Sequence, residues 1–174
     1  MVDPDARLMG NNRGCVNLKL CIECNNKQVA DLTGAEVPAN VPKHITLKDM
    51  DGVPHTFEIE LLMFPVGMTL IAMEDGETRY RADVFGPLGG DFNKLLESLI
   101  RQIEGFLSVK YMGRDSRFRE SKAVGYIEYN HERDAQDIII DGRPYTWQEL
   151  EKSISAHEGL RIKIEFYDSG DVVE

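Results

Sequence analysis

A chain of 174 residues with a formal charge of −10, 42% hydrophobic and 29% charged, can bury one core without disulfides and holds no apolar run long enough to span a bilayer. Its pI near 4.9 repels polyanions at long range and argues against general binding to nucleic acid or to an anionic membrane. The start shows no basic-then-apolar leader, and three clustered cysteines, an odd number, suit a reducing compartment, so a cytoplasmic protein is expected.

Residues 1–14 are polar, with Gly and Asn gathered at their end, and are expected to be poorly ordered. All three cysteines then fall within ten residues, as Cys15, Cys21 and Cys24. A structural zinc takes four N or S ligands, so this is half a site, to be completed by His44, by Asp31 or by a second subunit. Zinc is the expected cofactor; ordinary thiols and a redox pair are the alternatives. The redox reading wants a strand before the Cys-x-x-Cys and a helix opening on it, a context this stretch does not suggest. Asn25-Asn26 reads instead as a tight turn and residues 28–32 as a return strand, closing a knuckle-like hairpin. Residues 33–42, with one Gly and two Pro, read as a linker, so that 15–42 is a small appendage outside the core of an α+β domain at 43–168.

That domain opens with alternation at His44, Thr46 and Lys48 against Ile45, Leu47 and Asp49. Asp51-Gly52 is a hairpin turn into a strand over 55–64, Pro65-Val66-Gly67 turns into a third at 68–73, and residues 74–77 turn into a fourth at 80–85. The simplest assembly is a four-stranded antiparallel meander. After 86–90, Asp91 is an N-cap, and Phe92, Leu95, Leu96, Leu99, Ile100 and Ile103 repeat at the spacing of an amphipathic helix.

Residues 110–122 form a basic loop in which Arg114, Arg117 and Arg119, interleaved with Tyr111 and Phe118, have the residue types that touch phosphates and stack bases; the plainer reading is a solvated loop balancing an acidic surface. Two more strands follow at 123–129 and 136–140, joining the meander's sheet. Thr146-x-x-Glu149 has capping-box spacing and starts a second helix, running to about His157, with Trp147, Leu150, Ile154 and His157 on one face. A last strand over 160–167 alternates Ile162, Ile164 and Phe166 with Arg161, Lys163 and Glu165, before an acidic tail at 169–174. The fold expected is α+β, an antiparallel sheet on two helices with an N-terminal cysteine knuckle. Asp51-Gly52-Val53-Pro54 and Asp141-Gly142-Arg143-Pro144 echo each other, which shared turn chemistry explains more simply than duplication.

The stretches C-I-E-C-N-N-K-Q-V-A-D, D-G-V-P-H-T-F-E-I, D-G-R-P-Y-T-W-Q-E-L and H-E-G-L-R-I-K-I resemble a family of uncharacterised bacterial proteins with a short Cys-x-x-Cys start. The resemblance implies a bacterial source and carries over no catalytic residue.

None of His44, His55, His131 and His157 stands in a metal-protease spacing, although His44 and His55 lie on strands expected to pair. No convergent catalytic set emerges. The expected function is therefore a non-enzymatic interaction module that binds a protein partner or a second copy of itself, with structural zinc at Cys21, Cys24, Cys15 and His44. A nucleic-acid-associated protein using Arg114, Arg117 and Arg119 is one alternative, and an enzyme with a pocket lined by His55, His131 or His157 is the other.

Overall fold

The computed structural model describes residues 20–74, 76, 79–113, 115–119, 122–159 and 161–166. Its first sheet is the expected meander: β1 (His44–Lys48), β2 (Pro54–Phe64), β3 (Gly67–Glu74) and β4 (Arg81–Gly86), each antiparallel to the next. Alternation drives it, because every second residue of β2, from Phe57 through Ile59 and Leu61 to Met63, points to one buried face. Their partners continue those rows, Leu61 opposite Leu70, Ile59 opposite Ala72 and Met63 opposite Met68. Helix α2 (Phe92–Leu107) lays Leu95, Leu99, Ile103 and Leu107 on β3 and β4, and Asp91 caps it, accepting from the amides of Asn93 at 3.0 Å and Lys94 at 3.3 Å.

The cysteine segment is a correction. Residues Ile22–Thr33 form a helix, α1, where a knuckle-like hairpin is expected, and Asn25-Asn26 lies inside it. The reason is long-range: β1 is only five residues long, so the upper half of β2 has a bare edge. Asn26 fills it, donating to the Leu61 carbonyl at 2.7 Å and accepting from the Met63 amide at 2.8 Å, while Asn25 donates to the Met63 carbonyl at 3.0 Å. Two asparagine side chains thus stand in for a strand. With Val29 buried in the main core and Ala35 and Val41 packed on it, residues 21–42 are part of the domain and no detached appendage.

The later strands also depart from expectation. β5 (Gly125–Asn130), β6 (Ala135–Ile140) and β7 (Arg143–Tyr145) form a separate three-stranded antiparallel sheet and do not extend the meander. Its own small core joins Met112, Ile140 and Tyr145 to Tyr111, Phe118, Ile138 and Leu150. The β6–β7 turn has positive φ at both Asp141 (51°) and Gly142 (72°), the pattern of a type I′ hairpin. In the β1–β2 turn only Gly52 (φ 81°) is positive, so the two Asp-Gly echoes are different turns.

Helix α3 (Trp147–Ile154) starts with the expected capping box of Thr146 and Glu149, and a 3-10 turn covers Ser155–His157. Its inner face carries Leu150 and Ser153; Trp147, at 56%, and Ile154, at 38%, are exposed, contrary to the stripe expected. The strand expected at 160–167 is not formed over its described residues, 161–166, which join neither sheet.

Candidate functional site

The inward row of β1 and β2 ends in charge. Ile45 and Leu47 lead to Asp49, and Phe57 leads back to His55, so alternation carries both polar groups onto the buried face at one end of the sheet. Glu74, opposite Phe57 at the end of β3, joins them. His55 donates from Nδ1 to Glu74 Oε1 at 2.6 Å, since a carboxylate can only accept. Its Nε2 lies 3.5 Å from Asp49 Oδ2 and makes no hydrogen bond, and Tyr80 packs edge-on at 5.4 Å.

Asp49 is the hub. Its Oδ1 accepts from the Asp51 and Val53 amides at 2.9 and 2.8 Å, and its Oδ2 receives Lys110 Nζ at 2.7 Å, with Asp51 Oδ2 on the same ammonium at 2.5 Å. Burial alone would raise its pKa, but the Lys110 ammonium and the two amides outweigh that and hold it at about 2. The same carboxylates, Asp49 first and then Asp51, push Lys110 above its ordinary value, and burial pushes the Tyr80 phenol up. Because the Met50 amide also donates to the Leu107 carbonyl at 3.0 Å, this network ties the β1–β2 turn to the end of α2. His55 Nε2 faces Asp49, so the arrangement fastens β1, β2 and β3 together at this end of the sheet. The signal for it lay in the register, since Asp49 and His55 occupy inward positions among Leu47 and Phe57.

At the N-terminus, Cys21 caps α1 and its Sγ accepts from the Cys24 amide at 3.4 Å. That amide lowers the Cys21 pKa, while the hydrogen bond between the two side chains raises that of Cys24. A helix opens on this pair, a context the residues alone did not suggest. Cys15 lies outside the described residues, and His44 sits exposed on β1 opposite Glu58. His44 and His55 therefore point to opposite faces and do not meet. Among the described residues, no group of three His, Cys, Asp or Glu side chains could hold a metal.

The basic loop is held by a bridge between Met112 and Phe118 and by the Asp141 carboxylate, which accepts from the amides of Tyr111 at 3.1 Å and Met112 at 2.7 Å. Arg117 pairs with Asp115 at 3.7 Å and lines an open cleft of about 390 Å³ with Glu149 and Lys152, where carboxylates offset the cations. Arg119 donates its backbone amide to the Tyr111 carbonyl, and Arg114 lies outside the described residues. The histidines of the enzymatic alternative are scattered: His131 stacks edge-on against Tyr129 at 4.9 Å and His157 sits 6.4 Å from Phe118.

The second sheet has one feature that sequence reading missed. Paired residues share a face, so Ile127, Ile138 and Tyr145 form one row and Gly125, Ile140 and Arg143 another, both on the side covered by Met112, Phe118 and Leu150. That cover stops short of β5: Ile127 is 51% exposed and Tyr129 47%. Among the described residues, nothing covers the minor core along its β5 edge.

No helix among the described residues is long and apolar enough to cross a membrane. No curated protein and no solved structure matches the chain. Residues 39–108, which hold the first sheet and α2, match a domain of unknown function, DUF7686, and residues 109–171, which hold the second sheet and α3, match another, DUF7713.

Proposed function

We propose that this chain is a non-enzymatic interaction module of a bacterial cytoplasm, in which the first sheet and α2 are a rigid scaffold and the second sheet grips another polypeptide along β5. The observation that carries this reading is the open minor core, where Ile127 continues the row of Ile138 and Tyr145 into solvent and Tyr129 stands exposed beside it on the same face. Exposed apolar surface contiguous with a core is what a polypeptide partner covers, and an open sheet edge offers it main-chain hydrogen bonds. Cys21 and Cys24 supply two of the four ligands of a structural zinc, with the rest coming from Cys15 or a partner.

The test is the double variant Ile127→Lys with Tyr129→Lys in the full chain. Wild-type protein purified from its source should hold a discrete polypeptide that the variant loses, with the two melting alike. Equal retention by both would refute the reading.

A further inference from the structure

We infer that the polypeptide held on β5 is the 161–166 segment of a second copy, the two chains exchanging these strands across a two-fold axis. This rests on the proposed binding edge and names its occupant. The segment Arg-Ile-Lys-Ile-Glu-Phe alternates like a strand, yet it joins no sheet among the described residues, and Ile162, Ile164 and Phe166 are 72%, 64% and 80% exposed. One copy thus displays both a segment of strand pattern that joins no sheet and a sheet edge that no described strand covers, which is the condition for an isologous pair.

Alternation fixes the face, and the proposed register is the one that pairs Lys163 with Glu128 and lays Phe166 over Gly125. An antiparallel pairing that sets Lys163 opposite Glu128 also sets Ile164 opposite Ile127, Ile162 opposite Tyr129 and Phe166 opposite Gly125. Each apolar side chain then lands on the face of β5 that carries the minor core, lengthening the row Ile127, Ile138 and Tyr145 by one residue. Phe166 covers a glycine that has no room for a side chain of its own, since a Cβ on Gly125 would stand 2.3 Å from the Ile139 carbonyl oxygen. On the other face, Lys163, which within one copy pairs with Glu165, comes opposite Glu128, a carboxylate that Arg79 also reaches at 3.0 Å, and Arg161 comes opposite Asn130. A shift of one residue would turn Ile162, Ile164 and Phe166 toward that face.

The test uses Lys163→Glu and Glu128→Lys in full-length protein, with native mass spectrometry and sedimentation across the micromolar range. Wild type should be dimeric, and each variant alone should dimerise about tenfold or more weakly, because both copies of the pair become like-charged. An equimolar mixture of the two variants should recover wild-type strength as a heterodimer, since each interface then joins opposite charges. Both positions are solvent-accessible, so circular dichroism should match wild type. A monomeric wild type, or a mixture no stronger than its components, would overturn the exchange. Should the mixture fail while Ile127→Lys with Tyr129→Lys still sheds a polypeptide, the edge binds a different partner and only the strand exchange falls.

Discussion

Replacing Asp49 with Asn removes a charge from the network while keeping an oxygen for the Asp51 and Val53 amides. The carboxylate titrates at about 2 in the folded chain against an ordinary 3.8. At ~1.4 kcal/mol per pH unit that gap gives an upper bound of ~2.5 kcal/mol of folding stability at neutral pH. Lys110 stays 23% exposed, so water screens part of the interaction and a loss of ~1.5–2 kcal/mol is expected for Asp49→Asn. The folded pKa is depressed, so this stability is present above the unfolded value and disappears as pH falls through about 2. Urea unfolding of both proteins from pH 7 downward should show a difference that is constant above about pH 5 and falls to roughly half near pH 3. A difference that ignores pH, or one below ~0.5 kcal/mol at neutral pH, would refute the assignment of Asp49 as hub.

Asn26→Ala leaves the Leu61 carbonyl and the Met63 amide without their partner and should cost ~2–4 kcal/mol in denaturant unfolding; a change under ~1 kcal/mol would mean water replaces the amide at no loss. Gly125→Ala drives a Cβ against the Ile139 carbonyl and should destabilise by at least ~1–3 kcal/mol, whereas a neutral change would show that β5 can move away from β6. In protein stripped of metal by a chelator, at neutral pH, iodoacetamide should modify Cys21 before Cys24, because the Cys24 amide favours the Cys21 thiolate; mass spectrometry of timed samples reads the order, and Cys24 reacting first would contradict it. Protein purified without added metal should carry zinc that Cys21→Ser removes, and metal content unchanged by that substitution would place any zinc elsewhere.

Much of the first sheet could be read from residues alone because its forces are local and periodic. Phe57, Ile59, Leu61 and Met63 alternate, Leu95, Leu99 and Ile103 recur at helical spacing, and Asp91 and Thr146 carry cap chemistry. What was not legible depends on distant partners. Asn25-Asn26 has turn propensity, and only the bare upper edge of β2 makes those amides more useful inside a helix. β7 is three residues long and contains Pro144, so it gives no alternating signal, and its pairing with β6 separates the second sheet from the first. The buried network escaped because Glu74 and Lys110 stand far in sequence from Asp49 and His55; the inward register of that pair was its single trace. Residues 160–167 have the pattern of a strand, but pattern says nothing of which edge a strand joins.

A photo-crosslinking residue at position 127 of the full chain, activated in cells of its source, tests most directly whether the open side of the second sheet holds another polypeptide. The account predicts a discrete adduct containing residues 161–166 of a second copy. A side chain at 127 that forms no adduct with any polypeptide, while an exposed control at Phe85 behaves the same way, would contradict it.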